Sequence, residues 1–106
     1  MSLKAPTKAE QAWMDAICRI GCIVCLRLGW GATPGEVHHI LDEANRKISH
    51  MLTLCLCMSH HRANLNNAQI VSRHHWRTEF ERRYGTEMDM HADTTARVGR
   101  LLQMSV

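Results

Sequence analysis

The sequence predicts a small α+β domain in which a two-stranded ribbon packs against helices. Three observations carry this expectation. One amphipathic stretch is followed by two short β-like runs and then by further amphipathic stretches. The length, 106 residues, suits one domain, spanning 1–106, that buries about two-thirds of its unfolded surface. Aromatic residues are few (Trp13, Trp30, Trp76, Phe80 and Tyr84), while cysteine and histidine are plentiful, so a bound metal would supply stability that a thin core lacks.

Taken in order, Thr7 and Glu10 fit a capping box preceded by Pro6. Ala9, Ala12, Trp13, Ala16, Ile17 and Ile20 then recur at helical spacing, which gives a first helix over 7–20 stopped by Gly21. "GCIVC" reads as a turn over 21–26, and "GWGATPGE" as loop. Val37 to Leu41 is short and β-branched and reads as a strand. Ser49 to Cys57 alternates, with Leu52, Leu54 and Leu56 on one face and Met51, Thr53, Cys55 and Cys57 on the other, and reads as its partner. A short helix is expected from Ser59. Another is expected from near Ser72, with Trp76, Phe80 and Tyr84 on one stripe and Gly85 as its end. A last helix over 94–103 carries Val98, Leu101 and Leu102.

The chain has no apolar run of about eighteen residues, so no membrane partner is expected. "MSLKAPTKAE" has no apolar signal core, which points to the cytoplasm. Five cysteines in that setting favour metal binding over a disulfide framework. The net charge of +3 is unevenly placed. From Ala44 to Thr78 lie Arg46, Lys47, Arg62, Arg73 and Arg77 and no acidic residue, together with five of the eight histidines. A basic field around histidines suits a polyanion such as nucleic acid.

Cys22 and Cys25 form a Cys-x2-Cys pair, and Cys57 and His60 a Cys-x2-His pair at a strand-to-helix junction. Together they make a tetrahedral ligand set for a structural Zn²⁺. Cys18 and Cys55 are left as small buried hydrophobes, with Cys55 an alternative to Cys57. A thioredoxin-like role for Cys22 and Cys25 is disfavoured because no βαβ pattern flanks them.

Beyond that set, His38, His39, His61, His74 and His75 remain. Phosphodiester hydrolysis needs a base to activate water and a divalent cation to stabilise charge, and neutral imidazoles serve both roles. In order, "GCIVC", "VHHI", "RKISH", "LCMSHH" and "RRYGTE" resemble the phage-type HNH nucleases related to the RecA-dependent Ref recombination nuclease, over roughly Thr7 to Glu87.

The resemblance implies a ββα-metal (HNH, or His-Me finger) core over 36–84, with a structural zinc knuckle and flanking helices. It implies His39 as general base, His38 and His61 as catalytic-metal ligands, and His74 as a third ligand with His75 as the alternate. The catalytic divalent cation would be Mg²⁺, Zn²⁺, Mn²⁺ or Ni²⁺. The partner would be DNA, single-stranded or recombinase-coated, gripped by Arg46, Lys47, Arg62, Arg73 and Arg77 with little base readout. A phage or prophage origin in a bacterial host follows from the same likeness.

Adjacent strand residues face opposite ways, so His38 and His39 can share a site only where the strand twists or ends. Asn45 and His50 are candidates for orienting the base, and Glu36 for assisting the site. The rival expectations are a non-catalytic, zinc-stabilised DNA-binding module and a protein-interaction adaptor. No motif speaks to the oligomeric state.

Overall fold

The computed structural model describes residues 3–104. Helix α1 (Lys8–Ile20) starts on the expected capping box: the Thr7 hydroxyl accepts from the Glu10 N–H at 3.1 Å, and the Glu10 carboxylate accepts from the Thr7 N–H at 2.9 Å. Met14 and Ile17 are its buried face. Gly21 ends the helix at φ +93°, and a Cβ there would stand 2.9 Å from the Thr33 carbonyl oxygen. Only glycine combines that backbone with that approach. The reversal lets the Cys22 N–H donate to the Thr33 carbonyl at 2.9 Å.

The expected plain turn over 21–26 is instead a short helix, α2 (Ile23–Arg27), with Cys22 at its N-cap. Helical geometry puts residues three apart on one face, so Cys22 and Cys25 converge.

Strands β1 (Glu36–His39) and β2 (Thr53–Leu56) pair antiparallel, with His38 opposite Leu54 and His39 opposite Thr53. Gly35 admits β1 to this pairing, since a Cβ there would lie 2.7 Å from the Cys55 sulfur and 2.8 Å from the Leu56 carbonyl. Both strands are shorter than the sequence suggests. Ser49 folds the chain into a turn by accepting the Met51 and Leu52 N–H groups, and beyond His39 the ribbon continues through the Ile40 N–H to Leu52 carbonyl bond at 2.9 Å and an isolated bridge, Leu41 to Lys47. All four β2 residues are buried, so its alternation separates two packed faces rather than core from solvent. Leu54 and Leu56 join a cluster with Ile23, Val24, Ile40, Val71, Phe80 and Met90, and Cys55 joins Ile17 and Val98.

One helical turn, α3 (Met58–His61), follows β2 directly. The helix expected from Ser72 begins later, as α4 (Arg77–Tyr84), because His75 holds φ +71°, a left-handed backbone that no α-helix continues. Trp76 therefore caps α4 and is 39 % exposed, while Phe80 is wholly buried. Helix α5 (Glu87–Met104) starts well before the expected 94. Its buried positions Glu87, Met90, Thr94 and Val98 recur at helical spacing and face α1, α2 and β2. Among the described residues no helix is long and apolar enough to cross a membrane.

Candidate metal centres

The first centre gathers side chains from three elements. Cys22 and Cys25 come from α2 and its cap, Cys57 from the end of the ribbon, and His60 from α3, and all four are buried. The His60 Nδ1 stands 3.2 Å from the Cys57 sulfur, 3.6 Å from that of Cys25 and 3.9 Å from that of Cys22. The Cys25 and Cys57 sulfurs are 3.8 Å apart.

A tetrahedral zinc with Zn–S of about 2.3 Å and Zn–N of about 2.0–2.1 Å has S···S edges of about 3.8 Å and S···N edges of about 3.6 Å. The set therefore has the dimensions of a zinc shell, and the cluster could hold a metal such as zinc. Burial raises the Cys22 thiol to about 12 and also raises Cys25, the cost of crowding thiolates without a cation. The Nε2 of His60 is buried without a hydrogen-bond partner, and the Trp30 and Tyr84 rings flank that imidazole. Cys55, the alternative from spacing, points instead into the packing of Ile17 and Val98, and Cys18 lies half-buried beside them.

The second centre is imidazole only. His38 from β1, His61 from α3 and His74 from the following loop place one nitrogen each within 4.8 Å of one another. Their rings pack edge to face, with the His61 and His74 centroids 4.5 Å apart. Hydrogen bonds between the backbones of Arg73 and His60 and of His74 and His61 hold that loop against α3.

Carboxylates fix two of the rings from behind. The His38 Nε2–H donates to Glu87 at 2.8 Å, which leaves Nδ1 for the centre. The His61 Nδ1–H donates to Glu36 at 2.7 Å, which leaves Nε2. Such outer carboxylates set tautomer and ring angle and raise ligand basicity. The Arg62 guanidinium and His61 hold the Glu36 carboxyl down at about 2. Burial alone would raise Glu87, but hydrogen bonds from His38 and Arg73 outweigh it and hold that carboxyl also at about 2. Burial, with neighbouring positive charge, lowers His74, and burial lowers His61.

His39 is not part of this trio yet lines the same cleft of about 280 Å³ as His38, His61, His74 and Lys47. It is the last residue of β1. Its Nε2 lies 3.0 Å from the His50 Nδ1, and the His50 Nε2–H donates to the Lys4 carbonyl at 2.7 Å. The carbonyl only accepts, so the proton order is fixed: His50 accepts from His39, and the His39 Nδ1 keeps its lone pair. Thr53 anchors the arrangement, donating to the His50 carbonyl and accepting from the Trp13 indole, each at 3.0 Å. Burial, then the charge of Lys47, lowers His39.

The profile of the family described as "Recombination enhancement, RecA-dependent nuclease" matches residues 6–98. That span takes in both clusters and the cleft. The chain belongs to this family. No curated protein matches the sequence. Membership supports a nucleic-acid hydrolase working in recombination.

In this RecA-dependent nuclease family member, the basic residues expected to face DNA divide. The Arg46, Arg62 and Arg77 side chains are 67 %, 53 % and 44 % exposed and ion-paired to Asp42, Glu36 and Glu81. Lys47 is exposed at the cleft mouth. Arg73 departs from the expectation: it is buried, and its guanidinium donates to Glu87 at 2.6 Å. Its charge is spent inside the fold.

Glu87 itself went unread in the sequence, because its partners lie 49 and 14 residues away and no local spacing marks it. Glu87→Ala would leave Arg73 and His38 facing an uncompensated gap. The expected loss is about 3–5 kcal/mol in urea denaturation, and Glu87→Gln should cost less. A depressed carboxyl stabilises above about pH 4.5, and that stability fades as pH falls toward 2. Glu87→Ala should accordingly flatten the acid limb of the stability profile.

Proposed function

We propose that this protein is a metal-dependent DNA endonuclease of the HNH type, with β1, β2 and α3 forming a ββα-metal core. The observation that carries the reading is the convergence of His38, His61 and His74, two of them backed by buried or ion-paired carboxylates. That donor set suits a divalent cation, and three protein ligands leave coordination positions open for substrate. A bound Mg²⁺, Zn²⁺, Mn²⁺ or Ni²⁺ would neutralise charge on the scissile phosphate and the leaving 3′ oxygen. The thiolate centre, Cys22, Cys25, Cys57 and His60, would hold a structural Zn²⁺ and takes no part in the chemistry.

His39 is the general base. Its Nδ1 accepts a proton from water as the water oxygen attacks phosphorus in line with the leaving 3′ oxygen. His50 acts through His39, holding it in the tautomer whose Nδ1 is free, and so takes the orienting role for which Asn45 was the other candidate. Asn45 caps a surface turn with φ +60° instead. Lys47, Arg46 and Arg62 would hold the backbone, while Arg77, paired to Glu81, faces a neighbouring cleft instead, so cutting should be salt-sensitive and weakly sequence-specific. The protein would act in the cytoplasm, in phage DNA recombination, on single-stranded or recombinase-coated DNA; the family description supports the part in recombination.

The test is cleavage of plasmid and single-stranded DNA by the zinc-loaded protein with added Mg²⁺, Mn²⁺ or Ni²⁺. Cation-dependent nicking is expected. Binding without cleavage under all three ions would replace this reading with a zinc-stabilised DNA-binding module. Lys47→Ala should weaken binding to all sequences alike and lower the slope of log affinity against log salt by about 1. A loss confined to one base sequence would argue for direct readout.

A further inference from the structure

A cleft of about 680 Å³ adjoins the histidine cleft, the two sharing Leu41 as a wall. Its other walls include Trp76, His75, Arg77, Asn45 and Asn66. We infer that it is a subsite for one unpaired nucleobase of single-stranded DNA, stacked on Trp76 beside the scissile phosphate.

Four observations support this assignment. A large aromatic ring is left 39 % exposed beside a cavity rather than packed in the core. That ring is fixed, because its indole N–H donates to the Asn64 side-chain oxygen at 3.0 Å.

The backbone around it is held in a rare conformation. Among the described residues the non-glycine positions with left-handed φ are Asn45, Asn64 and His75; two line the cleft and the third anchors the indole. Asparagine and histidine are among the non-glycine residues that adopt this region most often, yet it stays uncommon for both, and such conformations cluster at functional sites.

The charges in the cleft cancel. Each charged group that lines it is paired: Arg77 with Glu81 at 3.0 Å, Arg73 with Glu87 at 2.6 Å, and Glu79 with Arg82 and Arg83. A near-neutral cleft suits a base better than a phosphate. The amides of Asn45 and Asn66 offer donors and acceptors to a base edge, and the Trp76 face offers the stacking platform that single-strand binders use. A duplex cannot fill such a subsite without unstacking a base, which costs free energy.

The proposed hydrolytic reading supplies only the position of the base relative to the scissile bond; the binding claim stands apart from it. The test is fluorescence anisotropy without added divalent cation, using a labelled single-stranded deoxythymidine oligomer, the same backbone lacking bases, and a duplex of equal length. For the single strand, Trp76→Ala should lose at least about fivefold in affinity. Trp76→Phe should keep most of it, and duplex binding should barely change. Wild type should bind the baseless oligomer as weakly as Trp76→Ala binds deoxythymidine.

Equal losses on single strand and duplex, a Phe variant as weak as Ala, or a baseless oligomer bound like deoxythymidine would each overturn the subsite. If Trp76→Ala fails to melt cooperatively, the Phe variant and the baseless oligomer decide. Wild-type cleavage with unchanged Trp76→Ala affinity removes the subsite alone. Base-dependent binding without any cleavage leaves the subsite and removes the catalytic reading.

Discussion

Cys25→Ser should unfold the protein or strip the structural zinc proposed for the thiolate cluster. The Cys25 sulfur sits 3.6 Å from the His60 Nδ1 and 3.8 Å from the Cys57 sulfur, and the side chain is 2 % exposed. A serine hydroxyl fills nearly the same space but is a poor zinc ligand, so the packing loss alone would be small. The large term is the metal, since structural zinc supplies about 10 kcal/mol of folding free energy against a total stability of about 5–15 kcal/mol. Cys22, Cys25 and Cys57 also form part of the main core cluster, so losing the ion would leave crowded buried thiols at the centre of the fold. Urea denaturation paired with zinc analysis checks this, with Cys18→Ser, outside the cluster, as the mild control. A Cys25→Ser protein with unchanged melting and full zinc content would refute the structural assignment.

His39→Ala should abolish cleavage while leaving the fold and both metal centres in place. His39 belongs to neither cluster and is only half-buried, so its removal creates no large cavity and strands no charge. General bases contribute about a hundredfold or more. Residual cleavage above about one percent of wild type, at fixed cation concentration, would remove His39 from that role. Melting and zinc content measured on the same sample separate lost chemistry from lost structure. His38→Ala should differ in kind, because it removes a centre nitrogen and also leaves Glu87 with one partner fewer.

The thiolate cluster was legible because its members announce themselves locally: Cys22 and Cys25, and Cys57 and His60, carry their spacing in a few residues, and a strand followed by one helical turn is enough to bring the two pairs together. The capping box at Thr7 is local in the same way. The imidazole trio, His38, His61 and His74, is drawn from three separate segments, and its grouping came from the family resemblance rather than from spacing.

What stayed hidden was non-local or masked by chemistry. Helix α5 shows its inward stripe at Glu87, Met90, Thr94 and Val98, but two of those four are polar, so apolar periodicity begins too late in the sequence. Glu87 is buried because His38 and Arg73 satisfy it, a fact that depends on three distant segments meeting. The same meeting takes Arg73 out of the basic surface. At His75 a left-handed backbone, uncommon even for histidine and marked by no neighbouring glycine or proline, delays α4 and leaves Trp76 partly exposed rather than in the core. Cys55 and Cys57 share a face by alternation and were separable only once β2 ended at Leu56 and Cys57 became the N-cap of α3.

The central claim is that imidazoles, apart from the thiolates, hold the cation that drives hydrolysis. Anomalous scattering at the manganese edge from crystals soaked in Mn²⁺ tests it most directly. A peak bounded by His38 Nδ1, His61 Nε2 and His74, with His39 beside it and the sulfur cluster carrying a separate zinc-edge peak, is the predicted result. Manganese found nowhere near those three rings, with cleavage still in progress under the same ion, would contradict it.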